Sequence, residues 1–235
     1  MLKSIQADAL KMKRKWVWFL VCLGPFGVIS LQVVNYAVRY DYLVRNGADH
    51  FQVLMNNINM FLAPGLVLGM TILASLFASV EHERNSWKQL LSLPIMKYQV
   101  FLSKFILITS LLCVACSLVF IGSNLLGLGL GFGIEPKMLL PFFKNSFYPL
   151  LAGIPILVIQ LWLSVTMKNQ AIPLTIGIFA SVFAVYGHFA PDWVLWKWPL
   201  LYGDWSTIEF VGAGVGMGML ILLMAALHFH KREVK

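Results

Sequence analysis

Charge is what this chain most lacks. Asp, Glu, Lys and Arg together make up 12% of its 235 residues, where soluble domains carry about a quarter. With 59% hydrophobic residues and a mean hydropathy of +0.78, that scarcity excludes an ordinary soluble domain and marks an integral membrane protein. Cysteine is nearly as rare, with Cys22, Cys113 and Cys116 the three present. All fall in apolar stretches, so no pair sits in a polar loop where an oxidising compartment forms structural disulfides. Cys113 and Cys116 have Cys-x-x-Cys spacing, but an unbroken apolar helix disfavours the thiolate that redox or metal chemistry needs, and the pair reads as packing.

Catalytic patterns are missing as well. His82-Glu83 is followed by Arg84, Asn85 and Ser86, so the His-Glu-x-x-His that puts two zinc ligands on one helix face is not met. Neither a Gly-x-Ser-x-Gly elbow nor a Gly-x-x-x-x-Gly-Lys-Ser/Thr phosphate loop occurs, which removes two further reaction classes. Gly127, Gly129, Gly131 and Gly133 alternate without opening a helix after a strand, so they read as flexible or closely packed backbone. The expectation is a non-enzyme with no cofactor or metal of its own.

Apolar length is what is there. A bilayer core about 30 Å thick needs roughly 20 apolar residues per helix, and six segments qualify, approximately 16–35, 58–80, 101–126, 145–166, 172–190 and 208–229. With Ser103-Lys104 taken as the opening of the third, the span interiors are read as free of formal charge, unlike those of ion-coupled transporters. Gln32, Asn124 and Gln160 either line a polar path or bond between helices. His188 and His228 lie near span ends and read as interfacial residues. The connectors are too short for separate domains, and no period-2 alternation points to a barrel. The expected fold is therefore all-α, one polytopic membrane domain over 1–235. Within it, 1–15 is an interfacial helix or a solvated basic flank, 16–229 a six-span bundle, and 230–235 a tail.

The basic residues orient it. An N-terminus in the cytoplasm puts thirteen Lys and Arg inside and five outside, namely Arg39, Arg45, Lys137, Lys144 and Lys197, as the positive-inside rule requires. The net charge of +8 then reports topology and contact with anionic membrane lipids, with no nucleic acid implied. Both termini are expected in the cytoplasm. No cleavable signal peptide is expected, because the first span is long and no small-residue cleavage site closes it.

The first outer loop, about 36–52, and Asn56, Asn57 and Asn59 beyond it show no spacing of a site. Trp193, Trp196, Trp198, Tyr202 and Trp205 read as an aromatic belt at the membrane surface, with substrate stacking the alternative. In the last span Gly212, Gly214, Gly216 and Gly218 form two overlapping Gly-x-x-x-Gly pairs on adjacent faces. Gly65 and Gly69 repeat the motif after Pro64. These mark close helix packing, either within the bundle or between two copies.

One sizeable polar segment separates the second and third spans. Glu81, Glu83, Arg84 and Lys88 surround a helix that also presents Trp87, Leu90 and Leu91; Pro94 stops it, and Lys97 precedes re-entry into lipid. This is the profile of a helix that docks into a groove on a cytosolic partner. A plain turn at the inner surface is the alternative.

Here the chain resembles the permease subunits of type-2 ATP-binding-cassette transporters, in particular the small six-span permeases of the bacteriocin and lantibiotic immunity group. The matching residues are Phe77-x-x-x-Glu81-x-Glu83, then Ser86-Trp87-Lys88-x-Leu90-Leu91-Ser92-Leu93-Pro94-Ile95, Lys97 and Ser103-Lys104. The resemblance implies a half-channel in the bacterial cytoplasmic membrane, paired with a second permease copy or paralogue and with separate ATPase subunits that bind ATP and Mg. It further implies that 83–93 is a coupling helix, oriented by Glu81 and Glu83 and anchored in the ATPase by Trp87 and Leu91. The implied activity is export of an amphipathic peptide or lipid-like substrate, possible antimicrobials included. A non-transporting membrane protein that binds or sequesters a partner, or less readily an intramembrane enzyme, is the alternative that the residues themselves leave open.

Overall fold

A backbone crossing lipid has to satisfy its donors and acceptors within its own segment, which favours helices. The computed structural model describes residues 16–44, 50–83, 97–132 and 136–231. In chain order the helices are α1 (Val17–Val44), α2 (His50–Glu83), α3 (Lys97–Gly129), α4 (Pro136–Ala152), α5 (Ile154–Thr166), α6 (Ala171–Val185) and α7 (Thr207–Lys231). Two 3-10 turns, Gly187–Phe189 and Leu195–Leu200, lie between α6 and α7. No strand occurs among the described residues.

Helices α1, α2, α3 and α7 are each long and apolar enough to cross a membrane. The fourth and fifth expected spans take other forms. Segment 145–166 is not one helix: α4 and α5 meet at a 42° bend. Pro155, in the first turn of α5, has no N–H for the carbonyl of Leu151, so the hydrogen-bond ladder is interrupted there. The Gly153 N–H closes the end of α4 on Pro149 O at 3.0 Å. Segment 172–190 becomes α6, whose 15 residues span roughly 22 Å, short of a core about 30 Å thick. The described residues thus hold four membrane-length helices, or five with the bent pair counted as one, where six were expected.

Helix α2 is the central element. Its 34 residues run about 51 Å, and Leu54, Ile58, Ala63, Val67, Met70, Ala74 and Ala78 form a fully buried stripe along it. From Ala63 onward, spacings of three and four residues keep these positions on one side of the helix, and the five-residue step from Ile58 carries the buried face round from the side of Leu54 and Ile58. It packs against α1, α3, α5 and α6. In lipid such packing is driven by close fit and interhelical hydrogen bonds, since leaving an apolar solvent supplies little.

Candidate functional site

Glu81 and Glu83 lie in the last turn of α2, and Lys97 is the first residue of α3. Arg84, Trp87, Lys88, Leu90, Leu91 and Pro94 lie outside the described residues, as does the 1–15 segment. The two helices that the polar segment joins pack against one another. About two turns into α3, at the position read as the opening of the third span, Lys104 is buried, 1% exposed.

At the opposite end of α2 the chain between α6 and α7 folds into a compact cap. Its centre is an ion pair, Lys197 Nζ to Asp192 Oδ1 at 2.6 Å. Lys197 also donates to Ala190 O at 2.7 Å, while Asp192 Oδ2 accepts from the N–H groups of Asp204 at 2.7 Å and Trp205 at 2.9 Å. Every charge here is both paired and hydrogen-bonded, the condition under which burial is tolerated. A side chain at position 203 would overlap the Asp192 carboxylate, which explains Gly203. The Lys197 hydrogen bond, above all, holds the Asp192 carboxyl below the usual carboxylate range; the Trp205 N–H, the Lys197 charge and the Asp204 N–H add to it, and desolvation opposes it.

Of the aromatic residues, Trp193, Trp196, Tyr202 and Trp205 are exposed, whereas Trp198 is buried with Ala152 and Phe210. Trp198 Nε1 donates to Asp192 O at 2.7 Å, so this ring is part of the cap's core. Lys197, counted from the sequence as an outward charge, is buried beneath them. Leu201 ends the second 3-10 turn in a left-handed conformation, φ 53°.

Carboxamides fasten the cap end to the bundle. Asn59 Nδ2 donates to Leu200 O at 2.6 Å, Asn145 Nδ2 to Met55 O at 3.1 Å and Gln32 Nε2 to Asn57 O at 2.8 Å. Further along, Gln160 Nε2 donates to Pro173 O at 2.7 Å. Gln32 and Gln160 therefore act as interhelical links, while Asn124 bonds within α3 to Phe120 O. Of the two histidines, His188 packs edge-on against Tyr202, and His228 Nδ1 accepts from Trp162 Nε1 at 3.2 Å.

The four glycines of α7 divide into two pairs. A Cβ on Gly214 would stand 2.5 Å from Ala152 Cα, and one on Gly218 2.5 Å from Ile154 Cγ2. That pair lets α7 lie directly against the α4/α5 bend. Gly212 and Gly216 have nothing within 4 Å of the same position and face outward.

An apolar cleft of about 330 Å³ separates α1 from α2 and α3, with Gly24, Gly27, Gly65 and Gly69 in its walls. A second cavity, about 470 Å³, lies at the cap end, lined from α2 by Gln52, Met55, Asn56 and Asn59. Sequence reasoning passed over these residues, although their i, i+3, i+4, i+7 spacing puts them on one helix face. Among the described residues no three His, Cys, Asp or Glu side chains converge to hold a metal; Cys116 is buried, Cys113 partly so and Cys22 exposed.

A family model described as an ABC-2 family transporter protein matches residues 4–184. No curated protein and no solved structure matches the chain.

Proposed function

Because the chain belongs to the ABC-2 transporter family, we propose that it is the permease of an ATP-driven exporter that moves an amphipathic peptide or lipid-like substrate outward. Membership makes it a membrane subunit that works with an ABC ATPase. The observation that carries the rest is that the family match runs through α2, the polar segment 81–97 and α3 as one block.

In this reading 83–93 is the coupling helix. Trp87 and Leu91 seat it in the ATPase, which binds ATP and Mg, and Glu81 and Glu83 orient it. Nucleotide-driven closure pulls on the end of α2, and α2 acts as a rod. Asn59, 24 residues from Glu83 along one helix, is about 36 Å away, where its hydrogen bond to Leu200 passes movement to the cap. The α4/α5 bend against Gly214 and Gly218 supplies the point at which tilt is taken up. Helix α6 with the turn after it is the fifth of six passes through the bacterial cytoplasmic membrane, both termini face the cytoplasm, and a second permease copy or paralogue completes the channel. The exposed rings of the cap meet the amphipathic substrate as it leaves.

The test is to purify the tagged chain from its native membrane in mild detergent and identify what comes with it. An ATPase in stoichiometric amount is expected, lost when Glu83→Ala and Trp87→Ala are combined. Retention of the ATPase by that double variant would remove the coupling assignment, and a chain that purifies alone would remove the partnership.

A further inference from the structure

We propose that α6 moves as one body with α2, and that Gln170 is the positioning residue that joins the two helices near the end of α2 that carries Glu81. This rests on the reading above, in which an ATPase drives that end of α2, and adds to it the helix that travels with the rod.

Helix α6 is too short to cross the bilayer core by itself, and Ile172, Ile176, Phe179 and Phe183 leave one side of it exposed. Pro173, Gly177, Ala180, Ser181 and Ala184 are buried at helical spacing, and α6 packs on α2. Three contacts fasten the pair along their length. Ser181 Oγ donates to Pro64 O at 2.9 Å. At Gly177 the α6 backbone lies on Thr71, whose side chain a Cβ at 177 would overlap. Thr71 Oγ1 is itself held, donating to Val67 O at 2.8 Å. Ser75 Oγ donates to Gln170 Oε1 at 3.2 Å. Partners on α6 rise in number as those on α2 fall, so the helices run antiparallel, and from 64 to 75 α2 covers about 16 Å. The bond from Asn59 to Leu200 O continues the same order into the cap.

Gln170 differs from the other contacts in serving three elements with one carboxamide. It is the residue that opens α6, and its Nε2 donates to Ser164 O and Met167 O, both at 2.8 Å. Those carbonyls stand at the C-terminal end of α5, where an α-helix leaves its acceptors without partners of its own. With Nε2 committed to α5, the amide plane is fixed and Oε1 is presented to Ser75, itself buried. Ser75 precedes Glu81 along α2 by about 9 Å. The joint therefore sits close to where the ATPase acts, and a pull on the end of α2 reaches the first turn of α6 directly. Without it, the pull would reach α6 only at Thr71 and Pro64, farther along the rod.

The experiment is pulsed electron spin resonance on the full chain purified with its ATPase, with nitroxides at exposed positions of a variant whose three cysteines are replaced. Leu68→Cys with Ile172→Cys spans α2 and α6, and Leu68→Cys with Leu223→Cys spans α2 and α7, the helix packed on the α4/α5 bend. Single-cysteine controls identify distances between copies. Trapping with ATP should shift the α2–α7 distance by about 1–2 Å or more and leave the α2–α6 distance unchanged. Ser75→Ala cuts the bond to α2 alone and keeps Gln170 on α5; it should make the α2–α6 distance shift with ATP, as should Gln170→Ala, and neither should alter that distance without nucleotide. An ATP-dependent α2–α6 shift in the parent would overturn the single body, and an unchanged response in both variants would overturn the role of Gln170. Two constant distances in the parent would remove the ATP-driven reading and this proposal with it.

Discussion

At the scale of single residues, the clearest division is among the glycines of α7. Gly214 stands against the backbone of Ala152, so a methyl group there has only main chain to displace, and overpacking of this kind costs about 1–3 kcal/mol. Gly212 has open space and sits in a helix, where alanine is favoured over glycine by about 0.8–1.0 kcal/mol. Gly214→Ala should therefore lower the apparent Tm of the purified chain by several degrees, whereas Gly212→Ala should leave it unchanged or raise it. Equal effects would mean that the two faces are not divided as described. The same contrast shows where sequence reading stopped: the spacing reveals two packing faces on adjacent sides of a helix, but which of them a neighbour fills depends on where the α4/α5 bend lies.

At the scale of elements, the cap is the part whose stability depends on pH. Asp192 has a folded pKa below its unfolded value, so its contribution is present above the ordinary carboxylate range, near 3.9, and is lost as pH falls through the lowered folded value. Tryptophan fluorescence should report that loss through Trp198, whose indole is bonded to Asp192 O. The signal should stay constant from neutral pH to about 4 and change below it, while Asp192→Asn should show the acid signal throughout. A wild-type transition centred above the ordinary carboxylate range would contradict the clasp. Little of this element was legible beforehand. Lys197 reads as an outward charge because hydropathy counts it alone; its burial follows from Asp192 five residues earlier and from Gly203. Helices α1, α2, α3 and α7 were legible because long apolar runs in lipid have few alternatives. The start of α2 at His50, eight residues before the expected 58, was hidden because Asn56, Asn57 and Asn59 look like loop residues until Gln32 bonds the Asn57 carbonyl and Leu200 O takes the Asn59 carboxamide. The bend at Gly153 was hidden in an apolar run without a polar break, with Pro149 and Pro155 as the available warning.

At the scale of the whole molecule, the number of passes has a direct reading. If α6 completes a pass, positions 168 and 193 lie on opposite sides of the membrane; both are exposed. In a variant whose three cysteines are replaced, Trp193→Cys should react with an impermeant thiol reagent in intact cells, and Lys168→Cys only after permeabilisation. Labelling of both from one side would reduce the passes to five. The hydrogen bond between Asn59 and Leu200 also sets a timetable for synthesis. Its partners are 141 residues apart, and at about 5–20 residues per second the ribosome needs roughly 7–28 s to supply the acceptor after the donor has been made. During that interval α2 is in the translocation machinery or the bilayer with an asparagine that its own helix does not satisfy, so the nascent chain is a client for any insertion factor that shields polar side chains until the cap arrives.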